Sequence, residues 1–200
     1  MNIFRRRNRN ARQGFPVLKT ERLVLRSFDP NDAVDVYAYA QSEKVGPMAG
    51  WAPHKCLDDS RRVVEGFIEA GDVWAVVDKT TGHVIGTVGL HKDPYRPLEG
   101  CRRLGYVLGE NYWGKGYATE ACREVLRYAF EVLKCPVVSV AHYPINQRSR
   151  RVIKKLGFAY EGVQRWAHDL PDGTVSDLVC YSLLKSEYEA QKTGKRTEGN

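Results

Sequence analysis

The hydrophobic period along the chain switches several times between two and 3.6, and the order of the switches predicts its elements. Residues 18–28, LKTERLVLRSF, put Leu23 and Leu25 on one face and Arg22, Val24 and Arg26 on the other, as a half-buried strand does. Asp29-Pro30-Asn31-Asp32 supplies a helix start, and Ala33–Ala40 follows with helical spacing. GPMAGWAPHK, residues 46–55, is a loop punctuated by glycine and proline, and a second helix is predicted over 57–70. Two runs rich in β-branched residues, 73–77 and 84–90, flank a turn at 79–82 and read as a hairpin. Residues 104–108 form another strand. Beyond it Ala118, Ala121, Cys122, Val125, Leu126, Ala129, Phe130 and Leu133 make a helical stripe, with Glu120, Arg123, Glu124, Arg127 and Glu131 opposite. A strand at 137–142 and a short helix at 146–156, closed by Gly157, come next. Two last strands, near 158–167 and 174–184, enclose a Pro171-Asp172-Gly173 turn. No repeat or internal linker breaks this series, which predicts one mixed α/β domain spanning 14–184.

Composition narrows the class. The 200 residues are 42% hydrophobic, enough for a real core, and no apolar run is long enough for a membrane span. Five cysteines (56, 101, 122, 135 and 180) are odd in number, widely spaced and without a CxxC pair, so neither a disulfide framework nor a zinc site is indicated. A reducing, cytoplasmic setting follows. The net charge of +7 is concentrated in an arm, residues 1–13, which holds five arginines and no acid. Such a tract reads as a solvated, disordered tail or as a contact for RNA or the ribosome. Residues 185–200 read as a polar tail.

The chemistry begins where 104–108 meets the helical stripe. Gly114-Lys115-Gly116 stands at the start of the helix, although glycine costs roughly 1 kcal/mol against alanine in a helix. A helix N-terminus offers unpaired N–H groups and the positive end of the dipole, and bare glycines let a diphosphate lie against those amides. The spacing fits neither the dinucleotide fingerprint nor a Walker loop.

This stretch resembles the acetyl-CoA motif of the GNAT superfamily of N-acetyltransferases, Gln/Arg-x-x-Gly-x-Gly/Ala, which falls here on Trp113-Gly114-Lys115-Gly116-Tyr117-Ala118. Trp113 departs at the first position. TERLVLR (20–26), GYVLGENYWGKGYATEA (105–121), NQRSRRVIKKLGF (146–158) and SDLVCYSLL (176–184) match, in order, the branch that acetylates ribosomal-protein N-termini. The resemblance implies a central, mostly antiparallel twisted sheet of about seven strands with about four helices. It also implies that the sheet is splayed between its fourth and fifth strands, here 104–108 and 137–142. Acetyl-CoA would enter the splay, its pantetheine arm pairing with backbone near Tyr106, Val107 and Leu108. Amides from Gly114 through Lys115, Gly116 and Tyr117 to Ala118 would hold its pyrophosphate. Asn146 would bond the arm, although an asparagine there is equally a helix N-cap. Ser149 matches the serine that the branch places near the sulfur, and Ile153 stands where many members have tyrosine.

A base is harder to find. Arg103 occupies the position where the branch often carries a glutamate, which favours an acceptor of low pKa. Substitutes are His91 at a strand end, His54 in the 46–55 loop, and Glu110 beside the glycine turn. Trp51 and His54 fall where the family builds its acceptor pocket. The resemblance thus implies direct acetyl transfer from acetyl-CoA to a primary amine within a ternary complex. A protein N-terminal α-amine ranks first and a small-molecule amine or antibiotic second. From another class, a silent acetyl-CoA fold would bind RNA or the ribosome through its arm. No membrane partner is expected, and a homodimer stays open.

Overall fold

The computed structural model describes residues 16–96 and 98–197. Among these, eight strands form one open sheet. Its order is β1 (Leu18–Lys19), β2 (Leu23–Arg26), β3 (Val73–Asp78), β4 (Val84–Lys92), β5 (Arg102–Leu108), β6 (Val137–His142), β8 (Val175–Leu184), β7 (Ala159–Asp169). All neighbouring pairs are antiparallel except β5 and β6. Five helices flank it: α1 (Ala33–Ala40), α2 (Leu57–Ala70), α3 (Tyr117–Arg127), α4 (Gln147–Lys155) and α5 (Lys185–Thr197).

The expected seven strands become eight because the first one folds on itself. Thr20 N–H donates to Leu23 C=O at 3.0 Å, and Leu18 pairs with Leu25, so 18–28 holds two short strands around a tight turn. The fifth helix, α5, lies in the segment read as a polar tail. It is held by a few side chains rather than a continuous stripe: Tyr188 stacks on Phe130 with centroids 4.8 Å apart and donates to Glu131, while Gln191 donates to Gly157 C=O. The Arg-rich arm, 1–13, lies outside the described residues.

The sheet separates two apolar cores. On one face α1 and α2 bury Val36, Ala40 and Val64 against Ala75, Val77 and Val84. On the other, α3 buries Ala121, Cys122, Val125 and Leu126 against Leu25, Val88 and Leu104, and Ile153 of α4 joins them. The stripe continues past α3 through a π-helical turn, Tyr128–Val132, which buries Ala129 and Phe130.

The sheet fails as a continuous surface at one place. β5 is paired with β4 over seven residues and β6 with β8 over six, yet β5 and β6 meet only at Arg102↔Val138 and Arg103↔Ser139. Beyond Arg103 the two strands diverge. The ends of α3 and α4 and the 46–55 loop converge on that opening.

Candidate active site

Three pieces of chain meet at the splay. The first is the glycine turn. After Leu108 a 3₁₀ turn, Glu110–Tyr112, leads through extended Trp113 to Gly114 at φ +76 and Gly116 at φ +85, the N-cap of α3. Both angles are left-handed, which side chains other than glycine adopt at a cost of about 1–2 kcal/mol. A methyl group at Gly114 would meet nothing within 4 Å, and one at Gly116 would only touch the Arg22 guanidinium at 3.4 Å, so both glycines answer a conformational demand rather than a lack of room. No side chain caps α3, leaving its first-turn N–H groups available to an anion.

The turn is held from both sides. Trp113 donates its indole N–H to Leu108 C=O at 2.8 Å, and the Arg148 guanidinium lies 3.9 Å from its ring centroid. From the turn before β2, Arg22 donates to Lys115 C=O at 2.9 Å and lies over the Tyr117 ring. Arg22 is itself gripped by Glu120, which also accepts from the Thr20 hydroxyl and the Arg22 backbone N–H. Burial pushes the Glu120 carboxyl up, but the bonds from Thr20 and Arg22 together outweigh it and bring the carboxyl below its ordinary range.

The second piece is the free edge of β5. Gly109 N–H donates to Ile85 C=O on the β4 side, so the alternation of an antiparallel ladder turns the N–H and C=O of Tyr106 and Leu108 toward the splay, the Leu108 C=O being taken by the Trp113 indole. By the same alternation the backbone of Val107 faces β4. The Tyr106 hydroxyl crosses to α4 and meets Ser149 Oγ at 2.7 Å. Burial pushes this phenol well above its ordinary pKa, so it stays a protonated hydrogen-bonding group. Asn146 caps α4 by accepting from Ser149 N–H at 3.0 Å, and its amide donates to Met48 C=O. That second bond ties the helix start to the 46–55 loop.

The third piece is the α1/α2 face of the splay. Trp51, Phe67, Val73, Tyr143, His168 and Leu178 wall it, with His91 and Arg103 paired across β4 and β5. Together the three pieces enclose a cavity of about 780 Å³ that runs from Gly114 and Gly116 past Tyr106 and Ser149 to His91. No Asp or Glu lines it among the described residues, whereas Arg103, Arg148, Arg151 and Lys155 do. Free amides at the helix start, an unpaired strand edge and a cationic rim fit an extended, phosphate-bearing acyl donor. Among the described residues no cluster of His, Cys, Asp and Glu is arranged to hold a metal, and no helix is long and apolar enough to cross a membrane.

A family model described as "Acetyltransferase (GNAT) domain" matches residues 22–159, well over half of the chain. The chain belongs to the GNAT acetyltransferases. It is 28% identical over 178 residues, 86% of its length, to "Uncharacterized N-acetyltransferase YoaA" of Bacillus subtilis, and covers 98% of that protein. Over 114 residues it is 37% identical to "Putative ribosomal N-acetyltransferase YdaF" of Bacillus subtilis, covering 56% of this chain and 59% of the relative. Among solved structures, a GNAT-family acetyltransferase from Bacillus anthracis superposes with a TM-score of 0.77 at 25% identity, covering 86% of this chain and 100% of that one. Family and fold make this an acetyl-CoA-dependent N-acetyltransferase.

In this GNAT domain the residues singled out in the sequence separate into two groups. Tyr106, Val107, Leu108, Trp113, Gly114, Gly116, Tyr117, Ala118, Asn146, Ser149, Trp51 and His91 all line the one cavity. Lys115, His54 and Glu110 are not part of that lining. Lys115 contributes its carbonyl to Arg22. His54 places Nδ1 2.7 Å from the buried Ser60 hydroxyl and packs beside Trp51, and burial lowers its pKa. Glu110 is paired with Lys44 at 2.6 Å, and that bond lowers its carboxyl below the ordinary range. Sequence reasoning missed Arg22 as a brace of the turn, Tyr106 as the partner of Ser149, and Asp72, whose Oδ2 stands 2.9 Å from His91 Nδ1. The only sequence signal for Arg22 was its place in the TERLVLR motif.

Proposed function

We propose that this acetyltransferase moves an acetyl group from acetyl-CoA directly to a primary amine, and that the α-amine of a polypeptide N-terminus is its first acceptor. One observation carries the reading. A single cavity runs without a break from the glycine turn, along the unpaired edge of β5, to an open face on the α1/α2 side. Donor and acceptor therefore have one chamber to meet in, as direct transfer within a ternary complex requires.

Amides from Gly114 to Ala118 would hold the pyrophosphate, with Arg148, Arg151 and Lys155 nearby as countercharge. Tyr106 and Leu108 backbone would pair with the pantetheine arm. Acetyl-CoA supplies an activated thioester. Ser149, hydrogen-bonded to the buried Tyr106, sits on the donor side, where a hydroxyl donates to a departing thiolate.

Two further points support an α-amine. A lysine side chain, with a pKa of about 10.4, is almost wholly charged near neutrality, whereas an α-amine at about 7.7–8.0 is partly neutral and ready to attack. Among the described residues the cavity lining has no carboxylate and contains Arg103, which disfavours a polycationic acceptor. YdaF is named a putative ribosomal N-acetyltransferase, which supports a protein acceptor over a small amine. A small amine with an apolar body is the second reading, favoured by Trp51, Phe67 and Val73 on the acceptor wall. A cytoplasmic setting suits the five free cysteines.

The test is thiol release from acetyl-CoA across a panel of N-terminal peptides, apolar amines and polyamines. Peptides should give the highest kcat/KM and polyamines the lowest. Polyamines leading the series would sink the acceptor assignment, and no release with any amine would leave only a binding role.

A further inference from the structure

We infer that His91 takes the proton of the attacking amine and that Asp72 is the positioning residue that makes it able to do so. This rests on the acetyl transfer proposed above and names the group that completes it. Asp72 lies between Gly71, which ends α2 in a left-handed turn, and Val73, the first residue of β3. Its C=O accepts from Leu90 N–H at 2.8 Å, so the backbone of both strands fixes where its carboxylate points. Oδ2 then stands 2.9 Å from His91 Nδ1, while Oδ1 is buried without a hydrogen-bond partner. No cation among the described residues neutralises this carboxylate, so its charge is directed at the imidazole.

The consequence is a choice of tautomer. An ionised carboxylate only accepts, so Nδ1 carries the proton of the neutral ring and Nε2 keeps its lone pair. Nε2 lies over Gly89 and Gly105, which line the cavity with His91. Gly89 and Gly105 face each other across β4 and β5, and the ring lies over them. A methyl group at Gly89 would fall 2.3 Å from Nε2, and one at Gly105 would fall 3.6 Å from it. Two glycines thus leave the space that the imidazole fills, next to the point where β5 begins to diverge from β6. His91 is half exposed and reachable from the cavity.

Other charges around the ring are few. Asp72 faces it from the start of β3 and Arg103 from β5, with the guanidinium drawn toward the Tyr95 ring at 5.3 Å. Tyr143 and His168 stand on the far wall of the cavity. In the transfer the amine nitrogen bonds to the acetyl carbon as the carbon–sulfur bond breaks. The proton shed by nitrogen passes to Nε2 and from there to solvent, while the departing thiolate accepts a hydrogen bond from the Ser149 hydroxyl and takes its proton from solvent.

The test compares wild type, His91→Ala and Asp72→Asn with the best amine from the panel, together with ¹⁵N NMR of the imidazoles, which needs no acceptor. His91→Ala should lower kcat by about 10²–10⁴-fold with KM for acetyl-CoA unchanged, and added imidazole should restore part of the rate. Asp72→Asn should lower kcat by on the order of 10²-fold. NMR should place the wild-type proton on Nδ1, and in Asp72→Asn on Nε2. Wild-type rates for either variant across the pH range, or a wild-type proton on Nε2, would overturn the inference while acetyl transfer stood. If no amine is acetylated, the functional reading fails and the NMR alone decides whether Asp72 sets the tautomer.

Discussion

Two requirements converge on Gly116: a left-handed φ and an anion against its amides. They can be separated by substitution. Asn and Asp tolerate the left-handed region about equally, but only Asp adds a negative charge at the start of α3. Gly116→Asn should therefore weaken acetyl-CoA binding modestly, and Gly116→Asp by roughly a further tenfold or more, about 1.4 kcal/mol. Calorimetry on the two folded variants checks this, and equal affinities would remove the pyrophosphate from the turn. The turn was legible from sequence because its signal is local, two glycines in front of an amphipathic stripe. Tyr106, Leu108, Asn146, Ser149, Trp51 and His91 were legible as positions, through the family motifs, and all line the cavity, but the side chains they pair with were not, since those partners are brought together only by the fold. His54 and Glu110 are engaged by Ser60 and Lys44, and Glu110 and Lys44 are 66 residues apart. Asp72 meets His91 across 19 residues, a closure that exists only through the register of the β3–β4 hairpin.

At the scale of elements, the turn between β1 and β2 braces α3, with Thr20 and Arg22 both bonded to Glu120. Arg22 grips Glu120 inside the first turn of the helix and Lys115 C=O in the loop before it, so this turn sets the shape of the donor turn. Arg22→Met should raise the KM for acetyl-CoA several-fold while leaving kcat with saturating donor nearly unchanged. The same pair gives a pH dependence. Glu120 is held below its ordinary value of 4.5, so its contribution to stability is present above that pH and is lost as pH falls through the lower folded value. Thermal melts of wild type should therefore decline more steeply below pH 4.5 than those of Arg22→Met, and parallel curves would show that the pair contributes little. Most elements were legible from periodicity, since the α3 stripe and the β3–β4 hairpin are long and regular. Two were not. The turn at Thr20 is a backbone bond inside an alternating run, and α5 is fixed by Tyr188 stacking on Phe130, a contact between distant segments.

For the whole molecule, charge is divided between the arm and the cavity rim. The arm holds five arginines and lies outside the described residues, whereas Arg148, Arg151 and Lys155 belong to the cavity itself. Deleting residues 1–13 should leave the melting temperature and small-amine turnover unchanged, while weakening any salt-sensitive binding to RNA. A marked fall in melting temperature would show instead that the arm packs on the domain. The brace between the β1–β2 turn and α3 has a further consequence, which concerns time. Arg22 and Glu120 are 98 residues apart in the chain. The first strand leaves the ribosome long before the helix it must hold, and the loop between them has to close before the glycine turn is drawn into shape. Full affinity for the donor is therefore acquired late in folding, and a nascent chain that has not yet seated its first hairpin should hold acetyl-CoA several-fold more weakly than the finished fold.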